Sequence, residues 1–196
     1  MLTTLTTLKS RLSILDSETL YDALLTSAIK AISARFDKEC RRTLARTANV
    51  TFEFHAGQTE ICVPCYPIET VIGFEVKSNG ALGWIEQPDV TCLIRHGCVI
   101  SLYSAFSIQP SAFSQARVVY TGGYVLPGAS PGFGQTPLPH DLEQAAIEQL
   151  AYWFQTRDRI GRRITWPSGG TYEQFIAQDL LQTVSATLNQ HKRYAL

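Results

Sequence analysis

The chain has 196 residues, 45% of them hydrophobic, and its 17 Lys and Arg residues balance its 17 Asp and Glu residues. This length and composition indicate a folded protein with one core, or with one domain that carries a sizeable insertion, and they exclude a disordered chain. Because the formal net charge is zero, the molecule as a whole exerts no general attraction on nucleic acid or on acidic membranes.

Two helices are predicted before residue 49. In the first, Leu5, Leu8 and Leu12 recur at helical spacing, and the threonines before them suit an N-cap. Asp16 and Ser17 are candidate N-caps of a second, longer helix. Apolar residues recur every four residues along this helix, with Leu25 and Ile29 beside them, and they predict one apolar stripe: Leu20, Leu24, Ala28, Ile32, Phe36 and Cys40.

The periodicity changes from helical to alternating after Asn49. Short runs rich in Val, Ile, Phe, Thr and Tyr are separated by turn signals, and they predict about five or six antiparallel strands between residues 50 and 122. The segment GGYVLPGASPGFGQTPLPHD follows as a Gly/Pro loop, a kind of segment that is usually functional when it is this long.

Two more helices are predicted towards the C-terminus, PHDLEQAAIEQLAYWFQTRD and TYEQFIAQDLLQTVSATLNQHKR. The segment RIGRRITWPSGG between them is predicted as a loop. The apolar stripe of the last helix is predicted to consist of Phe175, Ile176, Leu180, Val184 and Leu188.

This order of elements predicts an α+β fold: a four-helix bundle-like helical core with an inserted antiparallel β-domain. The predicted helical domain comprises residues 1–48 and 137–196, the inserted β-domain residues 49–124, and the Gly/Pro loop residues 125–136.

Two cysteines, Cys62 and Cys65, have the spacing of redox pairs and of zinc ligands. A redox pair obtains its low thiol pKa at a helix N-terminus, whereas this pair lies in an alternating, strand-like run. A zinc site needs four ligands, and Cys92 and Cys98 are too far apart to form a second such pair. The favoured interpretation is that the cysteines are small buried hydrophobes, and a zinc site made of these four remains the alternative.

The sequence contains no recognisable catalytic constellation. Its four histidines lack paired spacing, and neither an HExxH helix nor a GxSxG elbow occurs. We therefore expect no enzyme activity, no cofactor and no metal.

Positive charge is concentrated in two short clusters. Residues Arg35–Arg46 include five bases and two acids, and residues Arg157–Arg163 include four bases and one acid. A solvated face is the usual reason for such a cluster. The alternative is a nucleic-acid-binding module that uses both clusters, with Trp153 and Phe154 as a base-stacking platform, although a helix that buries its aromatic face is the simpler interpretation.

Neither a secretory signal nor an apolar run of membrane-spanning length is recognisable. We expect a cytoplasmic protein with reduced thiols and no membrane partner.

In its order of motifs the chain resembles the head–tail connector (adaptor) proteins of long-tailed bacteriophages. The matching segments are LTTLKSRLSI, DSETLYDALLTSAIKAISARFDKECRRTL, ICVPCYPIETVIGFEV, ARVVYTGGYVLP and LPHDLEQAAIEQLAYWFQTRD. They cover nearly the whole chain, and their order is more specific than any one of them. The long loop Pro127–Pro139 and the longer last helix depart from the family pattern.

The resemblance implies a structural virion protein of the neck between head and tail, assembled in the host cytoplasm. About a dozen copies would form a homo-oligomeric ring. This ring would bind the portal protein and give the tail or stopper protein a docking surface, while DNA passes through without sequence readout.

The resemblance also implies roles for particular residues. The C-terminal segment is a usual portal-docking element of the family, and the candidates here are His191, Lys192, Arg193, Tyr194 and Leu196. The candidates for inter-subunit or channel-facing basic contacts are Arg35, Lys38, Arg41, Arg42, Arg157, Arg159, Arg162 and Arg163.

Overall fold

The computed structural model describes residues 1–77, 83–103, 115–157, 162–165, 171–174 and 179–193. The helices are α1 (Leu5–Arg11), α2 (Asp22–Cys40), α3 (His140–Thr156) and α4 (Gln182–Gln190). The strands are β1 (Thr47–His55), β2 (Glu60–Cys62), β3 (Ile68–Lys77), β4 (Ile85–Glu86), β5 (Cys92–Arg95), β6 (Val99–Leu102), β7 (Gln115–Gly122), β8 (Arg162–Thr165) and β9 (Thr171–Gln174). The α+β class is thereby confirmed.

The chain divides into two compact units. The helical unit comprises Met1–Phe36 and Pro139–His191, and the sheet unit comprises Asp37–Leu138 and Lys192–Leu196. Within the helical unit, α1 and α4 each pack on α3. The bundle-like arrangement of all four helices and the predicted domain boundaries stay predictions.

The buried stripe of α2 contains the last three of the predicted residues but not the first two. Leu25, Ile29 and Ile32 are buried, and Phe36 and Cys40 continue the same face. The predicted members Leu20 and Leu24 are 77% and 52% exposed. Leu20 precedes the helix, which begins at Asp22. The observed spacing of three and four residues follows the helical repeat better than a strict spacing of four.

The sheet unit contains seven antiparallel strands in its described residues, more than the five or six predicted. A four-stranded sheet has the order β1-β7-β3-β4, and a three-stranded sheet has the order β2-β6-β5. Central strand β7 pairs with β1 and β3, so that Val118 lies opposite Phe52 on one side and Phe74 on the other. Buried residues from both sheets, including Ile61, Val76, Ile100 and Tyr120, form one core.

The predicted last helix was wrong in its first part. Strand β9, Thr171–Gln174, pairs antiparallel with β8, Arg162–Thr165, within the segment predicted as a loop and helix start. β-Branched and aromatic residues such as Ile164 and Tyr172 favour this pairing over helix. Helix α4 buries Val184 and Leu188 as predicted. The predicted stripe residues Phe175 and Ile176 lie outside the described residues.

No helix in the described part of the chain has both the length and the apolar character needed to span a membrane.

Candidate assembly surface

The basic segment that follows α2 turns sharply because the helix ends in a Schellman motif. The amide of Arg41 donates to the carbonyl of Lys38, and the amide of Arg42 donates to the carbonyl of Asp37, both at 3.1 Å. Arg41 takes the left-handed conformation with φ of 53°. The carboxylate of Asp37 then accepts from the amide of Leu44 at 2.9 Å. The chain direction changes within three residues, so neighbouring arginines have different surroundings.

Arg42 is buried inside the sheet unit, with 4% of its surface exposed. The carbon at the centre of its guanidinium lies 3.3 Å from the centroid of the Tyr66 ring and 5.1 Å from that of Tyr124. Its Nη2 also donates to the carbonyl oxygen of Tyr66, while its Nε has no hydrogen-bond partner in the described residues. Two aromatic rings therefore lie close to this charge, and the charge also acts on the carboxylate of Asp37.

Two glycines allow Tyr124 to reach Arg42. A Cβ on Gly122 would lie 2.5 Å from the carbonyl oxygen of Cys65, and a Cβ on Gly123 would lie 2.5 Å from that of Ala45. Gly123 also has φ of 99°, a conformation that favours glycine. We call the rings of Tyr66 and Tyr124 around Arg42 the aromatic box. The close crossing of backbones explains the TGGY motif as a packing feature, and this motif is the sequence signal from which the aromatic box could have been predicted.

Lys38 and Arg41 differ from Arg42 because both are exposed on the sheet unit. Arg46, at the end of the same cluster, forms a bidentate pair with Glu69, with distances of 2.7 Å from Nε to Oε2 and 3.1 Å from Nη2 to Oε1. The side-chain hydrogen bond from Arg46 lowers the pKa of Glu69. Within the part of the chain that the structure describes, the charges of this cluster that remain open to a partner are thus those of Lys38 and Arg41.

Two basic candidates of the helical unit, Arg35 and Arg157, have partners within that unit. Arg35 forms an ion pair with Asp179. The guanidinium of Arg157 lies 4.0 Å from the ring centroid of Phe154 and 5.3 Å from that of Tyr21. Arg162 and Arg163 belong to β8, and Arg159 lies outside the described residues.

Two of the C-terminal candidates, His191 and Arg193, make polar contacts with the rest of the chain. In the helical unit, His191 Nε2 lies 2.7 Å from Asp141 Oδ2. Burial raises the pKa of Asp141, but the hydrogen bond and charge of His191 and a backbone hydrogen bond outweigh it, so that the net pKa is lowered.

In the sheet unit, the last described residues lie against β1 and β2. The amide of Arg193 donates to the carbonyl of Cys40 at 2.9 Å, and its side chain donates to the carbonyl of Cys62. Its guanidinium lies 5.4 Å from the ring centroid of Phe52. Lys192 is half-buried, whereas Tyr194 and Leu196 lie outside the described residues.

Burial disfavours the thiolate form of four cysteines. None of the five cysteines forms a disulfide, and burial raises the pKa of Cys40 to about 11. Burial is also the main cause of the raised pKa of Cys65, Cys92 and Cys98. The Cys65 thiol donates to the carbonyl of Gly122 at 3.1 Å. Among the described residues, no group of three or more His, Cys, Asp or Glu side chains is placed to hold a metal ion.

Three solved structures contain chains that are similar to this one along nearly its whole length. One is in the neck of an empty GTA particle computed with C6 symmetry, with 16% identity, a TM-score of 0.59 and coverage of 97% of this chain and 89% of that chain. Another is in the neck of a native GTA particle computed with C12 symmetry, with 17% identity, a TM-score of 0.53 and coverage of 97% and 88%. The third is in the virion of a native gene transfer agent (GTA) particle, with 16% identity, a TM-score of 0.55 and coverage of 97% and 89%.

At these identities the likeness shows a shared fold. No protein-family model and no curated protein matches the sequence.

Proposed function

We propose that this chain is a structural subunit of a phage-like neck, a head–tail connector that forms a ring, binds the portal and offers a docking surface to the tail or stopper. The observation that carries this proposal is the fold shared with neck chains over 97% of the sequence. The sequence-level resemblance to phage connectors supports it independently, because that resemblance depends on motifs rather than on coordinates. In such a ring one heterologous interface repeats around an axis, and DNA passes through the centre without being read.

The proposed portal contact is the extreme C-terminus. His191 and Arg193 are already engaged within their own units, so removing them would disturb the fold as well as any partner. Tyr194 and Leu196 are therefore the sharper candidates, since an aromatic and an aliphatic anchor beside basic residues is typical of interface hot spots.

The test is co-purification of the full chain with the portal protein of the same particle. We expect the double variant Tyr194→Ala, Leu196→Ala to lose portal binding by about tenfold or more, and its melting temperature to stay that of the wild type. The matched control is Leu15→Ala, Leu20→Ala, since both leucines are exposed, at 72% and 77%. In producing cells the first variant would yield DNA-filled heads without tails. Portal binding that is equal in all three proteins would place the docking surface elsewhere.

The proposed basic contacts now centre on Lys38 and Arg41. Exposed ion pairs contribute at most about 1 kcal/mol each, but a ring repeats them. We expect Lys38→Glu, Arg41→Glu to impair ring formation or portal binding in a folded protein, whereas Arg11→Glu on exposed α1 surface leaves both intact. Unchanged assembly of the double variant would remove these residues from the interface.

The alternative function, a nucleic-acid-binding module, is less well supported. Arg42 is buried, Arg35 and Arg46 are paired with carboxylates, and Arg157 stacks on aromatic rings. A module that neutralises several phosphates must lose affinity steeply with salt. Strong binding to DNA with such a slope would favour the alternative.

A further inference from the structure

The Gly/Pro segment between β7 and α3 forms an ordered loop, and backbone hydrogen bonds close its base. The amide of Val125 donates to the carbonyl of Thr136 at 2.8 Å, and the amide of Leu138 donates to the carbonyl of Val125 at 3.0 Å. Val125 and Leu138 are both buried. We call residues 125–138 the Phe133 loop.

The tip of the Phe133 loop is held by a second set of hydrogen bonds. The amide of Gly132 donates to Gln135 Oε1 at 2.9 Å, and the amide of Gln135 donates to the carbonyl of Gly132 at 3.2 Å. Gly134 supplies the left-handed residue of this turn, with φ of 76°. The Gln135 side chain also hydrogen-bonds Glu69, which the bidentate pair with Arg46 holds in place.

This turn leaves the side chain of Phe133 exposed to solvent. Its exposure is 108%, the largest among the exposed hydrophobic residues of the described chain. A large aromatic held in a defined turn needs little further ordering on binding, which is the property of an interface anchor. Single exposed apolar residues are common, but here side-chain and backbone hydrogen bonds keep the residue at the tip.

The same unit also carries an open groove beside the base of this loop. The groove has a volume of about 500 Å³, and its apolar lining includes Tyr124, Leu126, Pro127 and Ala129. Arg46 is the charged residue among its lining, and its charge is paired with Glu69. Between Arg117 and His140 the sequence has no Lys, Arg, Asp or Glu. The tip is therefore aromatic, and the groove offers it an apolar lining with one charge, which is already paired.

We propose that Phe133 of one copy docks into the groove of the next copy of this chain. The inference rests on the ring proposed above, in which one interface repeats at every junction. Most of the groove lining belongs to the Phe133 loop itself, so this contact would bring the Phe133 loops of adjacent copies together. The chain supplies both surfaces, and its own Phe133, being fully exposed, does not fill its own groove. An uncharged loop tip also fits a second copy better than it fits the phosphates of DNA.

The test places the photoreactive residue p-benzoylphenylalanine at position 133 of the full chain, which is irradiated alone and together with the portal protein. We expect an adduct of two chains whose cross-linked peptide contains residues 124–130. The same photoreactive residue at position 20, where Leu20 is 77% exposed on the helical unit, is expected not to label that peptide. An adduct only with another protein, an adduct elsewhere on this chain, or no adduct in either sample would overturn the inference.

A second measurement uses assembly itself. We expect Phe133→Ala to weaken self-association or ring formation by about tenfold with an unchanged melting temperature, and Leu20→Ala to change it less than twofold. Equal assembly of Phe133→Ala and wild type on the portal would refute this contact and leave the proposed neck function standing. Cross-linked dimers of a chain that is absent from the neck would refute the function and leave the contact standing.

Discussion

Among the described residues, each of the two units buries one basic side chain, and the two side chains are stabilised in different ways. In the helical unit Lys9 is 2% exposed, and its ammonium donates to the carboxylate of Asp22 at 2.9 Å and to the carbonyls of Asp16 and Glu18 at 3.0 and 2.6 Å. In the sheet unit Arg42 lies against the rings of Tyr66 and Tyr124 and leaves its Nε without a partner in the described residues.

The difference follows from the chemistry of the two cations. An ammonium is compact and strongly hydrated, so burying it requires an acceptor for each of its three hydrogens. A guanidinium is flat and weakly hydrated, so aromatic faces can replace much of its water. The helical unit thus pairs its buried charge with a carboxylate and two carbonyls. The sheet unit instead places its buried charge against two aromatic rings and one carbonyl.

The largest expected effect is on the sheet unit. Arg42→Ala removes the ring contacts and the hydrogen bond to Tyr66, and we expect it to lower the free energy of unfolding of this unit by about 4 kcal/mol. Arg42→Lys keeps the charge but not the flat stacking group, and we expect it to recover less than half. Hydrogen exchange of amides in residues 37–138 measures both changes.

The control for Arg42 is its neighbour. Arg41 is exposed, so Arg41→Ala is expected to change the same free energy by less than about 0.5 kcal/mol. Equal losses in the two variants would mean that the aromatic box does not stabilise the unit.

The corresponding change in the helical unit is Lys9→Met. We expect a loss of about 3 kcal/mol, since two carbonyls lose a charged donor and Asp22 keeps partial access to water. The side chain of Asp22 is 32% exposed. Hydrogen exchange of residues 1–36 reports the loss, and Lys30→Met, at an exposed position of α2, is the control. A loss confined to the sheet unit would contradict this assignment.

The stability of the sheet unit is expected to depend on pH in the alkaline range. Burial raises the pKa of Cys40 from 9.0 to about 11, while the charge of Arg42 opposes it. A raised folded-state pKa means that this contribution to stability is fully present below pH 9 and is lost as pH rises towards 11. We expect the sheet unit to lose about 2 kcal/mol in that window. Cys40→Ala, although less stable throughout, should show a flatter profile from pH 9 to 11. A slope identical to that of the wild type would assign the alkaline loss to another group.

The smallest expected effect concerns an ion pair that is only partly buried. The lowered pKa of Asp141 means that the stability from its pair with His191 is present above the ordinary value of 3.8 and is lost as pH falls through the folded-state pKa. We expect Asp141→Asn to cost the helical unit about 0.5 kcal/mol at neutral pH. Thermal unfolding at pH 7 and pH 3 measures the difference in stability between the variant and the wild type, which should shrink at pH 3.

The control for Asp141 is Asp16→Asn, because the exposed Asp16 uses its carbonyl, and not its carboxylate, to bind Lys9. An equal effect of both variants at both pH values would refute the role of the pair.

Much of the secondary structure could be predicted because its signals are local. The spacing of Ile32, Phe36 and Cys40 marks α2 as a helix, and alternating runs mark the strands of the sheet unit. The hairpin of β8 and β9 was missed because a short strand such as TYEQ has no alternation strong enough to compete with a helical stripe placed after it. The two basic clusters could also be recognised in the sequence. Which of their residues are exposed to solvent could not be predicted from it.

The sequence by itself determined most of the helices and strands, the Gly/Pro loop and the absence of net charge, since each depends on residues that are near one another in the chain or on composition alone. Only the tertiary structure decided that Arg42 is enclosed while Arg41 is exposed, that Arg193 binds the carbonyl of Cys62, and that Phe133 remains uncovered. Burial of a charge depends on partners such as Tyr66 and Tyr124, which come from distant parts of the chain. Their proximity to Arg42 is a result of how the strands pack and not of spacing along the sequence.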